Sequence, residues 1–576
     1  SVFARGMKEY YYDWRLKHPH LIDFQKVMER VSGTDLDWFF DEWFRTTRTL
    51  DYEAKGVSTR DRGDGTFTTE ICARNNDLAV MPLDLTLHYD DGTTGNATIP
   101  LATNHGGGYK KPEAGRLFFP GWDWVNPKYC DSIVTQKRVS WFEIDTSLRL
   151  QDLNRSNNDG HGWTSFHFPR GYWALWQQLF QNPPMDGYYA VVRPIVKYDA
   201  LSGLNLGIGI KHGFNLLGSG DFKLIGKTAP KRIEEDGTSA SPLWYDYIDG
   251  EMKGTLPMRW FERLTNFSYV VEKSDGISTV SLAITKTIRP IYLTLGAEHT
   301  VGIFFEGQDR LNYAYPYYHG AWSNGKTRVA GLRYTFVSEG GHTRADAFME
   351  SSVWNSDQTF GRMRGKISTF VPVAEDVSFS FRLVGGTVSG DVPLQRLWNL
   401  GMANSYEEQS NDFWRTVTNI DSGMDRKAHL ALEGGAGVRG YALAAVDTSA
   451  ASQNAFAQTT GQHMLGFSTD IALPNPLASL GSFASSFSLG AFFDAGWTGN
   501  GNADLLNDLK TRLRTDAGVS IKIAILSWLP HQLEGVAEEY AKIPVLSVTF
   551  PLYLNHPLDD SKPIAFRWQI GLGTTF

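Results

Sequence analysis

The stretch GGAGVRGYALAAV, residues 434–446, decides how the rest of the chain is read. Gly435, Gly437 and Gly440 satisfy G-x-G-x-x-G, the fingerprint of a dinucleotide-binding turn, and YALAAV behind them could open a helix. The same residues contain Val438-Arg439-Gly440-Tyr441, an arginine set in a glycine-rich segment. A dinucleotide turn needs a strand before it, a helix after it, and an acidic residue about twenty positions on within a βαβ unit. No acidic residue stands at such a strand end before Asp470, and the flanking segments alternate as antiparallel strands. The nucleotide reading fails on its surroundings.

Those surroundings alternate from residue 185 to residue 576. In AFRWQIGLGTTF, Phe566, Trp568, Ile570, Leu572 and Phe576 share one face, and Arg567, Gln569, Gly571, Gly573 and Thr575 share the other. In SFSLGAFFDAGW, Phe487, Leu489, Ala491, Phe493, Ala495 and Trp497 oppose Ser486, Ser488, Gly490, Asp494 and Gly496, with Phe492 an exception on the second face. GLNLGIGIKH, AGVSIKI and VLSVTFPL repeat the arrangement. The polar face is rich in glycine and small groups, and the apolar face holds aromatics near strand ends. That pattern fits a lipid-facing exterior around a polar lumen. Candidate strands lie near 188, 203, 221, 259, 278, 291, 328, 344, 362, 376, 427, 463, 484, 513, 543 and 565, sixteen in all. Backbone polar groups in lipid must all be paired, so such a set has to close on itself. An even number returns both ends to one side of the membrane.

Bulk composition narrows the rest. Over 576 residues the net charge is -8, which gives a nucleic-acid partner no electrostatic support. Only Cys72 and Cys130 occur, so a disulfide scaffold and zinc-type cysteine spacing are excluded, while one bridge in an oxidising compartment stays open. Apolar runs fall short of the ~18 residues of a spanning helix. A mean hydropathy of -0.29 leaves a barrel open, because alternating strands keep the average low. The opening SVFARGMKEYYYDW has neither a basic n-region nor an apolar h-region and reads as the middle of a helix, which predicts further chain upstream.

Two zones precede the alternating one. Residues 1–50 are helical in pattern: Phe24, Val27, Met28 and Val31 recur at helical spacing, Gly33 ends that helix, and Thr34 with Asp37 is a near-match to a capping box for the next. Residues 51–150 change to short alternating strands, with hairpin turns expected at Asp64-Gly65 and Asp91-Gly92. They predict a small β-sandwich, and residues 151–184 a polar linker with a short helix.

FARGMKEYYYDWRLKHP, DFQKVMERVSGTDLDWFFDEWF, the sandwich strands and EIDTSLRLQDLNRSNN, in that order, resemble the end of a gluzincin aminopeptidase (the aminopeptidase N family) over about the first 158 residues. The resemblance implies a zinc held on H-E-x-x-H plus a glutamate, upstream of the part seen here. None of the fourteen histidines belongs to an H-E-x-x-H. His18 and His20 flank a proline two apart and cannot act as i, i+4 ligands, so a solvated helix end is the better reading. No catalytic residue, metal site or cofactor is expected in this chain; zinc belongs to the upstream part.

A second resemblance joins the opening stretch to the alternating zone. Val438-Arg439-Gly440-Tyr441, then Phe492-Phe493-Asp494-Ala495-Gly496 as F-x-D-x-G, then a last strand with Trp568, Gly571, Leu572, Gly573 and terminal Phe576, resembles the signature of the BamA-type outer-membrane assembly superfamily. That superfamily includes two-partner secretion transporters and patatin-fused barrels. The resemblance covers roughly 390 residues. It implies sixteen strands and a long loop whose arginine, Arg439, reaches into the lumen towards Asp494. A lone carboxylate on the inward face would be costly, and a guanidinium fork suits it. POTRA modules, usual before such barrels, cannot be read here; the peptidase-like zone takes their place.

The chain is therefore expected to be mainly β: a sixteen-stranded antiparallel transmembrane β-barrel at 185–576, preceded by the sandwich and a short helical segment. The first functional reading is an outer-membrane barrel that inserts or translocates polypeptide through a seam between its first and last strands. Its partners would be outer-membrane lipid, unfolded or secreted polypeptide clients and other outer-membrane assembly subunits, with the N-terminal zones in the periplasm. The alternatives are a membrane anchor for an upstream zinc metallopeptidase, or a structural subunit of an outer-membrane complex.

Overall fold

A computed structural model describes residues 2–46, 48–102, 115–123, 125–160, 170–175, 187–199, 203–213, 218–230, 232–233, 238–258, 264–274, 277–288, 297–310, 323–374, 377–401, 419–421, 435–441, 457–475, 487–500, 505–524, 545–557 and 562–572. Among these residues no helix is long and apolar enough to cross a membrane.

Three helices come first: Val2–Trp14, Leu21–Ser32 and Asp37–Arg45. The second buries Val27, Met28 and Val31, and its Phe24 meets Phe40 of the third edge-on at 5.8 Å. Gly33 closes the second helix in the left-handed region (φ 65°), its N–H donating to Glu29 O at 2.8 Å. The third helix departs from the capping expected of Thr34. It starts at Asp37, whose N–H is taken by the Asp35 carboxylate at 2.9 Å, while Glu29 takes the N–H of Leu36 at 3.0 Å. Two carboxylates from outside the capping box have replaced the threonine.

Seven strands then form two sheets. Tyr52–Asp61, Phe67–Asn75 and Lys128–Thr135 make one; Arg116–Phe118, Thr94–Ile99, Leu83–Tyr89 and Val139–Ile144 make the other. Asp64 and Asp91 each accept an N–H two residues on, and Gly65 and Gly92 take the positive φ their turns require. Leu83, Leu85 and Leu87 alternate inward against Ile71, Ala97, Ile99 and Phe142, all at 2% exposure or less. Each such leucine contributes roughly 2 kcal/mol by leaving water. Cys72 and Cys130 lie directly opposite on neighbouring strands and are bonded. The chain after the sandwich is tied back to it, with Asp152 accepting the N–H of Tyr52 at 3.0 Å. Where a short helix was expected in 151–184, the described residues hold a single 3-10 turn, Arg155–Asn157, and a strand, Arg170–Leu175.

The remainder is dominated by one large antiparallel sheet. Its strands are Gly187–Asp199, Gly203–Gly213, Ser219–Lys227, Ile248–Pro257, Thr265–Ser274, Ile277–Ile288, Glu298–Arg310, Gly325–Val337, Thr343–Ser352, Phe360–Ala374, Val377–Gly390, His463–Leu473, Phe487–Gly499, Arg514–Ala524, Val545–Leu554 and Gln569–Leu572. Each pairs antiparallel with the next. Arg170–Leu175 runs parallel to the outer edge of Gly187–Asp199. The strand expected near 259 is replaced by two, at 248–257 and 265–274; the one expected near 291 begins at Glu298, and the one near 427 lies outside the described residues.

The sheet is inside out by the standards of a water-soluble protein. Leu206, Ile208, Ile303, Leu332, Met349 and Met363 are each more than half exposed, while Asn205, Lys223, Arg362, Arg382, Asp494 and Asp516 are each at most 3% exposed. Strand alternation delivers this: Leu332↔Met349↔Met363 point one way, and Arg333↔Phe348↔Arg364 the other. Charged residues are almost never fully buried unless paired, so the concave side must supply their partners.

Candidate functional site

Val377–Gly390 and His463–Leu473 are neighbours in the sheet but far apart in sequence. Of the chain between them, Asn419–Asp421 pairs with Gln569–Leu572, and two other described pieces, 391–401 and 435–441, lie on the buried side. The pieces are joined by backbone: Ala436 N–H donates to Asn399 O at 2.9 Å and Val438 N–H to Leu400 O at 3.0 Å. Leu400, Ala436, Val438, Tyr441 and Leu554 form a cluster at 3% exposure or less. Two wall glycines make the landing possible. A Cβ on Gly466 would stand 2.2 Å from Ala436 O, and one on its cross-strand partner Gly496 would stand 2.4 Å from Val438 Cγ2. The loop backbone therefore rests on a bare wall.

Arg439 is 5% exposed and Asp494 fully buried. The guanidinium grips the carboxylate with two bonds, Nε to Oδ2 at 2.7 Å and Nη2 to Oδ1 at 2.8 Å. The backbone N–H of Arg439 adds a third to Oδ2 at 3.2 Å. Its remaining arm donates to Asp470 Oδ1 at 2.7 Å, and Lys522 Nζ reaches the other Asp470 oxygen at 3.4 Å. Phe492, the residue that broke the apolar alternation, lies beneath: its ring centre is 4.0 Å from the Arg439 guanidinium carbon. A cation over an aromatic face in a dry site gains about 2 kcal/mol, enough to place a phenylalanine on a polar wall.

The rest of the motif is held as closely. Asp516, opposite Asp494 on the next strand, accepts the N–H of Gly440. Tyr441 donates its hydroxyl to Asn555 Oδ1 at 2.7 Å and accepts the N–H of His556 at 3.1 Å. From the other side, Arg382 Nη2 donates to Ala436 O at 2.6 Å and Ser468 Oγ at 3.0 Å. Gly437 faces that arginine at φ 83°, and a Cβ there would fall 1.5 Å from Nη2.

Val438, Arg439, Gly440, Tyr441, Phe492, Asp494 and Gly496 thus occupy one buried constellation. The terminal residues do not share it: Gly571 and Leu572 pair with Ser547 and Leu546, Trp568 is half-buried just before that strand, and Gly573 and Phe576 lie outside the described residues. Trp497, read from alternation as outward, is 6% exposed, because helix Leu505–Arg512 folds over it and Asp508 accepts its Nε1–H at 3.0 Å. Asp470, Asp516 and Arg382 were missed by motif reading. Period-two alternation carried the signal, since Ser468 and Asp470, like Asp516 and Lys522, fall on the inward face.

No family model matches the chain, and no curated protein does. Among solved structures it is similar to BamA from Haemophilus ducreyi lacking POTRA domains 1–3, at a TM-score of 0.37 and 13% identity, covering 68% of this chain and 73% of that one. It is also similar to CdiB from Acinetobacter baumannii (TM-score 0.35, 9% identity, 67% of this chain and 59% of that one). CdiB from Escherichia coli gives a TM-score of 0.31 and 10% identity, over 67% of this chain and 65% of that one. The chain spans less than two thirds of either CdiB.

Proposed function

We propose that this chain is an outer-membrane β-barrel of the BamA-type superfamily that inserts polypeptides into, or moves them across, the outer membrane. The observation that carries the reading is the bidentate Arg439–Asp494 pair, joining V-R-G-Y to F-x-D-x-G on the buried side of an inside-out sheet. A sheet with leucines, isoleucines and methionines outward and charges inward suits hydrocarbon outside and a polar lumen within. In lipid the sheet edges must be covered, so the sheet closes into a barrel of sixteen strands. The strand order is that of a ring, which takes in the short strands Arg170–Leu175 and Asn419–Asp421 besides these sixteen.

In that barrel, strand polarity sends the excursion after Gly390 from the end opposite to the one where Gly187 begins. Long loops belong outside and short turns in the periplasm, so the sandwich and the helices face the periplasm. An incoming polypeptide would pair at the seam beside the first strand, on the stretch after Val192 that Arg170–Leu175 does not reach.

The test is depletion of the full-length protein in its host, with the outer-membrane and secreted proteomes quantified. Loss of a defined set of client proteins, reproduced by Asp494→Ala, is expected; an unchanged proteome overturns the reading and leaves a structural subunit. A second reading, a barrel anchoring a zinc metallopeptidase, draws on the exposed apolar side chains of the helical layer, Phe3, Tyr11, Tyr12 and Phe44. Such a surface suits a further protein body packed on it. Chelator-sensitive peptidase activity of the full-length protein would favour it.

A further inference from the structure

The lumen segment has a second attachment that no motif announced. At the start of the excursion, Leu394 N–H donates to Ser323 Oγ at 3.0 Å, and Ser323 N–H donates to Gln395 Oε1 at 2.9 Å. Arg396, next along, is 1% exposed. Its Nη1 donates to Glu350 Oε1 at 3.2 Å and its Nη2 to Glu306 Oε1. Arg362 Nε donates to the same Glu350 oxygen at 2.8 Å, and its guanidinium carbon lies 5.0 Å from the centre of the Trp398 ring. Trp398 is fully buried, and the two residues after it, Asn399 and Leu400, carry Ala436 and Val438 by backbone bonds.

The two arginines attach to different stretches of wall. Glu306 and Glu350 sit on Glu298–Arg310 and Thr343–Ser352; Asp470, Asp494 and Asp516 sit on His463–Leu473, Phe487–Gly499 and Arg514–Ala524. In the sheet order Phe360–Ala374 and Val377–Gly390 stand between the two groups. We propose that Arg396 is a positioning residue for the Val438–Tyr441 loop: it fixes residues 398–400 to the far wall, and the loop is laid on that platform. The lumen segment is then a tie with a buried arginine–carboxylate anchor at each end, and the anchors act in order. Removing Arg396 unseats the platform and the loop on it. Removing Arg439 frees only the loop tip. The proposal rests on the lumen reading of the loop but on no particular client.

Hydrogen exchange on the full chain in detergent micelles tests it. In Arg396→Ala the amides of Trp398–Leu400 and Ala436–Val438 are expected to exchange about tenfold faster or more, with Glu298–Arg310 unchanged. In Arg439→Ala the acceleration is expected at 439–441 alone. Arg396→Lys should fall between, because an ammonium can serve one carboxylate well but not two in a planar fork. Unchanged protection at 398–400 in Arg396→Ala overturns the proposal. Should that variant loosen the wall strands too, Glu306→Gln decides, since it weakens one contact and keeps Glu350: faster exchange confined to 398–400 and 436–438 supports the anchor, and no change overturns it. An Arg439→Ala protein with 439–441 still protected counts against the loop reading and leaves the Arg396 anchor standing.

Discussion

Removing Asp494 and Arg439 singly and together tests the site most directly, because the structure assigns the two losses different sizes. In Arg439→Ala the Asp494 carboxylate, fully buried, loses both guanidinium bonds and keeps the 3.2 Å backbone N–H, with Asp516 facing it across the strand pair. An uncompensated buried charge of this kind costs about 3–5 kcal/mol, and the second acid puts this case at the upper end. In Asp494→Ala the arginine keeps Asp470 at 2.7 Å, so the loss should sit near the lower end, about 3 kcal/mol. The sum is about 8 kcal/mol. The double variant leaves no orphaned charge at 494 and should cost about 5, an interaction of about 3 kcal/mol, at the top of the range for residues in contact. Denaturant unfolding in micelles, followed by tryptophan fluorescence, reads all three variants. Losses that add within about 0.5 kcal/mol, or an Asp494→Ala cost below about 1 kcal/mol, would refute the argument that the pair is dry and mutually dependent.

Three further outcomes follow from local geometry. Cys72→Ser with Cys130→Ser opens a cross-link spanning 58 residues and should lower sandwich stability by up to about 4 kcal/mol, with unfolding of the large sheet unchanged. Gly437→Ala must take φ 83° and overlap Arg382, so the loop should gain protease sensitivity, with a strain of about 1–2 kcal/mol even if Arg382 moves; resistance equal to the parent would count against the placement. Burial pushes the Asp152 carboxyl up to about 6, against the N–H bonds it accepts from Asn154 and Tyr52. Its folded value lies above its unfolded one, so its contribution is full below about pH 4 and lost as pH rises through about 6, about 3 kcal/mol at most. Melting of the sandwich between pH 4 and 7 should show that decline, and Asp152→Asn should flatten it.

Much of this was legible because strands write their faces into the sequence at period two. Alternation placed Asp494 inward and Phe493 outward, and Phe493 is 41% exposed. Gly33 and the two Asp-Gly turns were legible for another reason: each needs a backbone conformation that few residues tolerate. What escaped depends on chain segments meeting from a distance. Trp497 obeys the alternation and is buried all the same, because a helix eight residues further on covers it. The strands at 248–257 and 265–274 merged into one expected strand near 259, since IDGEMKGTLP alternates weakly. Arg396 sits in DVPLQRLWNLG, which has neither helical nor strand periodicity, and its carboxylates are 46 and 90 residues away.

The placement of the loop also fixes an order of assembly. Most strand pairs in the sheet join chain neighbours through a turn, so hairpins can add one after another at little cost in loop entropy. The loop breaks this economy of short range. Its contacts at Asp470, Asp494 and Asp516 come 31, 55 and 76 residues later, and Asn555 and His556 come 114 and 115 residues later. Arg439 therefore precedes in the chain every carboxylate that holds it. The segment reaches its full set of contacts only once the strands that carry Asp494 and Asp516 have joined the sheet. A chain ending before Phe492 could build most of the sheet and offer its arginine Asp470 alone, so the fully seated loop records that the C-terminal strands have arrived.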